Sequence, residues 1–380
     1  MRTLDLARHR DASLIGKPGG AREIATPALV VDLDALEANV AKMAAHAKKS
    51  GIALRPHAKT HKSAEIARRQ IASGAVGVCV AKLAEAETLS AAGIENILIT
   101  SPVVTPRGLA RLAALAKTAK GLIATVDSPD VARAMSALLR EAGVRLDVLV
   151  DVNIGLGRTG LEPNAAGALA RGLANDPALR LRGLQAYGGH LMHIHDRAER
   201  REKSLAALKP VGALADELRK DGLAIDIVSG GGTGTFDIDP EAKVFTELQA
   251  GSYVFMDREY CDVWAADREP FLNSLFVQTT VISANVAGLV TTDAGIKSFA
   301  ADAGAPTIAS GAPDGSKYFL FGDEQGGVFL GPNGKLNVGD VVRCVVPHCD
   351  PTVNLYDCYH VVRGDALIAL WPVDARGQSQ

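Results

Sequence analysis

The segment RPHAKTHK, residues 55–62, places Arg55, His57, Lys59, His61 and Lys62 within eight positions, directly after an apolar run ending at Leu54. Clustered cations disfavour one another's charge, so a lysine among them is disposed toward the neutral amine. Such an amine can attack an aldehyde carbon and form an imine. The plainer alternative is a lysine that salt-bridges an acid. Farther along, SGGGTG spans Ser229, Gly230, Gly231, Gly232, Thr233 and Gly234. Consecutive glycines let backbone N–H groups converge into a nest that holds phosphate, although a flexible turn has the same text. A phosphate nest and an imine-forming lysine together suggest pyridoxal 5′-phosphate, which also needs partners for its ring nitrogen and phenolic oxygen. Arg158 of NIGLGRTG and Tyr187 of GLQAY are candidates for those contacts, with bracing of the turn as the other use for Arg158. His57, two residues before Lys59, joins the cofactor-binding set.

A second group lies in HCDPTVNLYDCYH, residues 348–360. Read as a strand, alternate side chains share a face, so His348 and Asp350 point together and Cys349 points away. One imidazole and one carboxylate make an open divalent-metal site, and oxygen ligation favours Mn²⁺ or Mg²⁺. A structural histidine beside a capping aspartate is the competing reading. His193 is a candidate for hydrogen bonding or base work near a substrate hydroxyl, whereas His190 could simply pack. Asp293 of TTDAGIK is a candidate either for a contribution to a partner subunit or for the metal's outer surroundings. Cys349, Cys358 and His360 can be drawn as a further metal cluster, but each cysteine serves equally well as core. His9 and His46 carry no functional reading.

These residues need elements that bring them together. Strand-like runs occur at 29–33, 53–57, 77–80, 96–100, 122–126, 147–152, 182–187 and 226–230, separated by Ala/Leu/Arg-rich helical patterns. Thr105-Pro106 and Ser128-Pro129 carry the signature of a helix cap followed by proline in the first turn. Eight β–α units predict a closed (β/α)8 TIM barrel, with an open doubly wound sheet as the rival. In such a barrel the strands' C-terminal ends carry the chemistry, and Lys59, Arg158, Tyr187 and Ser229–Gly234 all follow strand candidates. Beyond about residue 265 the text turns to strand upon strand with Gly/Asp/Asn turns, which predicts a separate β domain. The expected division is an arm over 1–25 joining the β domain, a barrel over 26–265, and the β domain with the metal pair over 266–380.

Composition sets limits. A chain of 380 residues, 47% of them hydrophobic, can bury a large core. Its 41 Lys+Arg against 43 Asp+Glu leave a net charge of −2, which recruits no nucleic acid. No apolar stretch of membrane-spanning length and no signal-peptide pattern is present. Five scattered cysteines are expected to be reduced, in the cytoplasm.

Taken together, RPHAKTHK, GLQAY, SGGGTG, TELQAGSYVFMD and HCDPTVN resemble the D-threonine aldolase and D-serine dehydratase family of fold-type III pyridoxal phosphate enzymes, relatives of alanine racemase. The resemblance runs from about residue 26 to Trp371-Pro372, nearly the whole chain. It implies Lys59 as the imine-forming lysine, Arg158 and Tyr187 at the cofactor ring, residues 230–234 around its phosphate, and His348 with Asp350 on the metal. It implies a homodimer with active sites between one subunit's barrel and its partner's β domain. The dehydratase branch pairs the histidine with a cysteine two residues on, whereas Asp350 matches the aldolase branch. The implied reaction is retro-aldol cleavage of D-threonine and related D-β-hydroxy-α-amino acids. A 3-hydroxy-D-aspartate aldolase, a dehydratase of D-serine or 3-hydroxyaspartate, an amino-acid racemase and a non-catalytic cofactor carrier are the alternatives.

Overall fold

In the computed structural model, which describes residues 5–265, 270–331 and 334–380, the first apolar run forms β1 (Ala28–Asp32) and leads into α1 (Leu33–Ser50). β1 is not a barrel strand. It pairs antiparallel with β10 (Leu275–Val286) and parallel with β16 (Cys358–Arg363), which corrects the expectation that 29–33 opens the barrel. A run apolar on both faces fits any sheet covered on both sides, so LVVDL could not reveal its partners.

The barrel strands are β2 (Ala53–Leu54), β3 (Val78–Val80), β4 (Ile97–Ile99), β5 (Ile123–Val126), β6 (Leu146–Asp151), β7 (Leu179–Ala186), β8 (Ile227–Gly230) and β9 (Glu247–Leu248). All are parallel, in the order β2-β9-β8-β7-β6-β5-β4-β3. A parallel bridge between His57 and Cys79 brings the two ends of that order together. The missed strand is β9, whose two residues give no periodicity to detect and whose Glu247 is charged. Helices α2 (Ala64–Ala72), α3 (Leu83–Ala91), α4 (Pro106–Ala116), α5 (Pro129–Ala142), α6 (Pro163–Leu173) and α7 (Arg197–Lys220) follow successive strands. The two expected caps are present: Thr105 accepts from Gly108 N at 3.1 Å and Ser128 from Val131 N at 3.4 Å. Strands β3 to β6 are buried along their whole length, as helix-covered parallel strands must be.

The β-rich unit contains β1, β10, β11 (Leu289–Thr292), β12 (Thr307–Ser310), β13 (Lys317–Leu320), β14 (Gly326–Phe329), β15 (Val341–Val345), β16 and β17 (Ala366–Pro372), with α8 (Arg258–Trp264) and α9 (Cys349–Val353). Its sheet runs β13-β14-β11-β10-β1-β16-β17, with β15 pairing β10 and β12. The described residues form two compact units. One comprises Met43–Lys59, Ala64–Gly251 and Gln378–Gln380; the other takes the described residues of Met1–Lys42, with Thr60–Ser63 and Ser252–Gly377. Residues 1–4 of the expected arm, and 266–269 beside the expected border at 265, lie outside the described residues. Among the described residues no helix is long and apolar enough to cross a membrane.

Candidate functional site

The barrel unit gathers most of the expected cofactor residues at strand ends. Arg55, just past β2, is buried and makes a bidentate pair with Glu247 of β9, Nε to Oε1 at 2.8 Å and Nη2 to Oε2 at 3.0 Å. Burial works against its charge, but Glu247 outweighs burial and holds the guanidinium above its usual pKa. The expectation that Arg55 adds uncompensated positive charge around Lys59 is thereby corrected. Of the RPHAKTHK segment, Thr60, His61 and Lys62 group with the β-rich unit. There His61 Nδ1 accepts from Ser63 N at 3.1 Å and its carbonyl accepts from Tyr359 Oη at 2.5 Å.

His57 has a defined proton. Thr100 Oγ1 donates to Val80 O at 3.0 Å, so it must accept from His57 Nε2 at 3.1 Å. Nδ1 in turn accepts the Lys59 backbone N–H at 3.4 Å. This is the neutral imidazole with its proton on Nε2. It orients the backbone from which the half-buried Lys59 side chain departs.

After β6, Asn153 Oδ1 accepts from the N–H groups of Gly155 and Gly157, each at 3.0 Å, and so folds the turn that presents Arg158. The Arg158 guanidinium lies 5.4 Å from the centre of the Tyr187 ring, a cation–π pair at the ends of the adjacent strands β6 and β7. Beneath this pair Asp151 is pushed up to about 6, chiefly by burial, against hydrogen bonds from Gln185 and Thr159. Ser229 Oγ accepts from Gln249 Nε2 at 2.9 Å inside the barrel. Both His190 and His193 lie on the exposed segment after β7.

The glycine loop closes around β8. A Cβ at Gly230 would collide with Ala186 O, and one at Gly234 with Met192 O. At Gly231, φ is +71° and a Cβ would stand 2.5 Å from Asp239 Oδ2. Asp239 underpins the loop: Thr235 Oγ1 and Ser204 Oγ donate to its two oxygens, each at 2.6 Å. Burial raises its pKa to about 7. Sequence reasoning missed Asp239 and Ser204, which stand 35 residues apart and belong to no recognisable motif.

In the β-rich unit, His348 is the N-cap of α9 and Asp350 sits in that helix's first turn. The strand periodicity that paired them is therefore wrong: helix, not strand, follows His348. His348 Nδ1 is 2.7 Å from Asp302 Oδ2, which fixes the proton there and leaves Nε2 as the donor a metal would use. Burial lowers the His348 pKa, but Asp302, Asp350 and Asp257 together raise it above the usual histidine range. Asp350 Oδ2 accepts from Thr60 Oγ1 at 3.1 Å. Within its own chain Asp293 accepts from Thr26 Oγ1, Thr279 Oγ1 and Thr280 N. Cys349 is buried, with Asp257 accepting its N–H at 2.9 Å. It takes no part in a cluster with Cys358 and His360; the two are joined by His9, and one donor atom from each of the three lies within 4.8 Å of the others.

Comparison with known proteins agrees with this layout. Residues 31–259 match the family described as alanine racemase, N-terminal domain, and residues 274–362 the putative serine dehydratase domain. A D-threonine aldolase of Arthrobacter sp is 42% identical over 358 residues, 93% of each chain. A 3-hydroxy-D-aspartate aldolase of Paracoccus denitrificans is 38% identical over 94% of this chain and 93% of its own. The crystal structure of D-threonine aldolase from Filomicrobium marinum superposes with a TM-score of 0.89 at 38% identity, over 94% of this chain and 97% of that one.

Proposed function

The chain belongs to the alanine racemase N-terminal domain family, the fold-type III pyridoxal phosphate enzymes, and from that membership we propose that it is a metal-activated D-threonine aldolase. It is a pyridoxal phosphate-dependent lyase acting on D-β-hydroxy-α-amino acids, matched by relatives over more than nine-tenths of its length. Cleavage of the Cα–Cβ bond of D-threonine yields glycine and acetaldehyde. The bond from Thr60 Oγ1 to Asp350 Oδ2 carries the reading: the residue next in chain to the imine-forming lysine holds the metal carboxylate.

The residues present fit both groups. Lys59 offers the amine, a Cβ at Gly230, Gly231, Gly232 or Gly234 would strike neighbouring protein atoms so that this loop stays bare backbone, and the Arg158 guanidinium over the Tyr187 ring offers a cation and a phenol. Were Arg158 or a neutral Tyr187 to meet the ring nitrogen, neither would take a proton from it, and the nitrogen would not be fully protonated. His348 and Asp350 offer one nitrogen and one oxygen, a set that favours Mn²⁺, with Mg²⁺ next. When bound, the cofactor supplies a sink for the electron pair left at Cα, and the divalent ion supplies a Lewis acid at the β-hydroxyl.

The chain's own residues do the rest. His348 and Asp350 would hold the ion, which would supply the Lewis acid at the β-hydroxyl. His193 accepts the hydroxyl proton as the C–O bond becomes a carbonyl and the Cα–Cβ pair stays on Cα. Lys59 Nζ returns a proton to Cα, so the products balance as glycine and aldehyde. The resemblance supports a homodimer with active sites at the subunit interface. The five cysteines, all free thiols, support a cytoplasmic setting.

The 38% identity to a 3-hydroxy-D-aspartate aldolase favours a second substrate reading, in which the released fragment is glyoxylate. Product analysis with D-threonine and with 3-hydroxyaspartate, each with and without Mn²⁺, separates them. Glycine with acetaldehyde, dependent on Mn²⁺, is the expected result. Pyruvate, oxaloacetate or ammonia would identify a dehydratase, and EDTA-insensitive racemisation a racemase.

A further inference from the structure

Cys358 and His360 stand two residues apart on β16 and so project from one face of the strand. The N-terminal segment covers that region: Leu14, Ala21 and Ile24 pack in one apolar cluster with Cys358 and Val362. The same segment brings His9 and Asp11, again two residues apart. Cys358 Sγ lies 3.6 Å from His9 Nε2, and the His9 and His360 rings meet edge to face with centroids 5.3 Å apart. A tetrahedral zinc ion, with bonds of about 2.3 Å to sulfur and about 2.0 Å to nitrogen, sets its S and N ligands about 3.5 Å apart. The Cys358–His9 separation already has that value.

His360 supplies an independent observation. Its Nδ1 lies 3.3 Å from Leu29 O and its Nε2 lies 3.0 Å from Asp11 Oδ2. Both oxygens are acceptors. A neutral imidazole has one N–H, so one ring nitrogen must turn a lone pair toward an oxygen. Protonating both nitrogens would satisfy both oxygens, but it would place an imidazolium at a buried position. A metal cation at Nε2 removes the conflict. Nδ1–H then donates to Leu29 O, the carbonyl contact that fixes the tautomer of metal-bound histidines.

We infer that His9, Cys358 and His360 bind a structural zinc ion, whose fourth position is left to water. The sulfur and two imidazoles select zinc over the Mn²⁺ or Mg²⁺ suited to His348 and Asp350, and none of those catalytic candidates is shared. The ion would staple His9 to β16, adding a cross-link to the apolar packing and to the hydrogen bonds that Gly16 N and Ala21 N donate to Leu367 O and Asp365 O.

The test uses the full-length, cofactor-loaded protein carrying His348→Ala and Asp350→Ala, so that the other metal pair is disabled. Elemental analysis is expected to find one tightly held zinc per chain. Exchange for Co²⁺ is expected to produce a thiolate-to-cobalt charge-transfer band. Adding Cys358→Ser should remove both signals while leaving cofactor absorbance and far-ultraviolet circular dichroism unchanged. Zinc or the cobalt band persisting in the Cys358→Ser protein overturns the inference. Should Cys358→Ser fail to fold, the spectrum of the otherwise wild-type protein decides: absence of the cobalt band there overturns it equally. Retention of this zinc by a chain that does not cleave D-threonine would count against the aldolase reading alone.

Discussion

Thr60 donates its hydroxyl to Asp350 Oδ2 at 3.1 Å, one peptide bond after Lys59. Within the β-rich unit the contact orients Asp350, the proposed oxygen ligand of the metal. Removing an outer-sphere partner typically weakens a metal site about tenfold or more. Thr60→Val should therefore raise the Mn²⁺ concentration for half-maximal activity by about tenfold. Visible cofactor absorbance should stay as in the wild type, and an unchanged Mn²⁺ requirement would deny Thr60 this role.

Lys59→Ala is expected to lose both the visible absorbance of covalently held cofactor and all turnover. Borohydride reduction followed by peptide mapping gives the direct readout. Cofactor found on a peptide other than the one containing Lys59 would refute the assignment.

Asp302→Asn keeps the shape of the side chain facing His348 but removes its charge. The imidazole keeps an amide oxygen as acceptor for its Nδ1–H but loses the carboxylate charge that strengthens that bond. Metal affinity should fall about tenfold, with titration calorimetry as the measurement. Asp293→Asn, by contrast, should leave metal affinity untouched, since Asp293 bonds the threonines of β10.

The Arg55–Glu247 pair has side-chain exposures of only 6% and 4%, so removing one partner strands a buried charge. Glu247→Gln should destabilise the barrel by about 3–5 kcal/mol, seen as a lower urea midpoint. An apolar double replacement, Arg55→Met with Glu247→Leu, should recover most of that loss. A single-variant loss below about 1 kcal/mol would mean that the pair is far better solvated than its burial implies.

Asp239 predicts a pH dependence. Its folded-state pKa is raised by burial to about 7, above the ordinary carboxyl value it takes when unfolded. Between those values the folded chain binds the extra proton, so stability falls as pH rises from about 4 to about 7 and levels off above. Three units correspond to a contribution on the order of 4 kcal/mol. Asp239→Asn should flatten this part of the curve of urea midpoint against pH. A wild-type curve already flat over that range would contradict the buried, protonated carboxyl.

Much of the site was legible because its parts are local. Lys59, the Gly230–Gly234 loop and Arg158 each follow an apolar run, and a barrel presents such residues at one end. Caps at Thr105 and Ser128 needed only two residues apiece to announce themselves. The sequence could not announce that β1 leaves the barrel or that Glu247 enters it. Strand pairing is chosen by competition among backbone edges distant in the chain, and a two-residue strand carries no period.

The same limit explains His348 and Asp350. Their types and spacing suggested a metal pair, but the local geometry comes from a helix start at Cys349 that strand alternation misread. Asp302, Thr60, Asp239 and His9 depend on tertiary structure alone: each acts on a residue 35 to 349 positions away. Covalent chemistry belongs to residue type and is written in the chain. The orientation and protonation of those residues depend on burial and on neighbours across space, which exist only once the chain has folded.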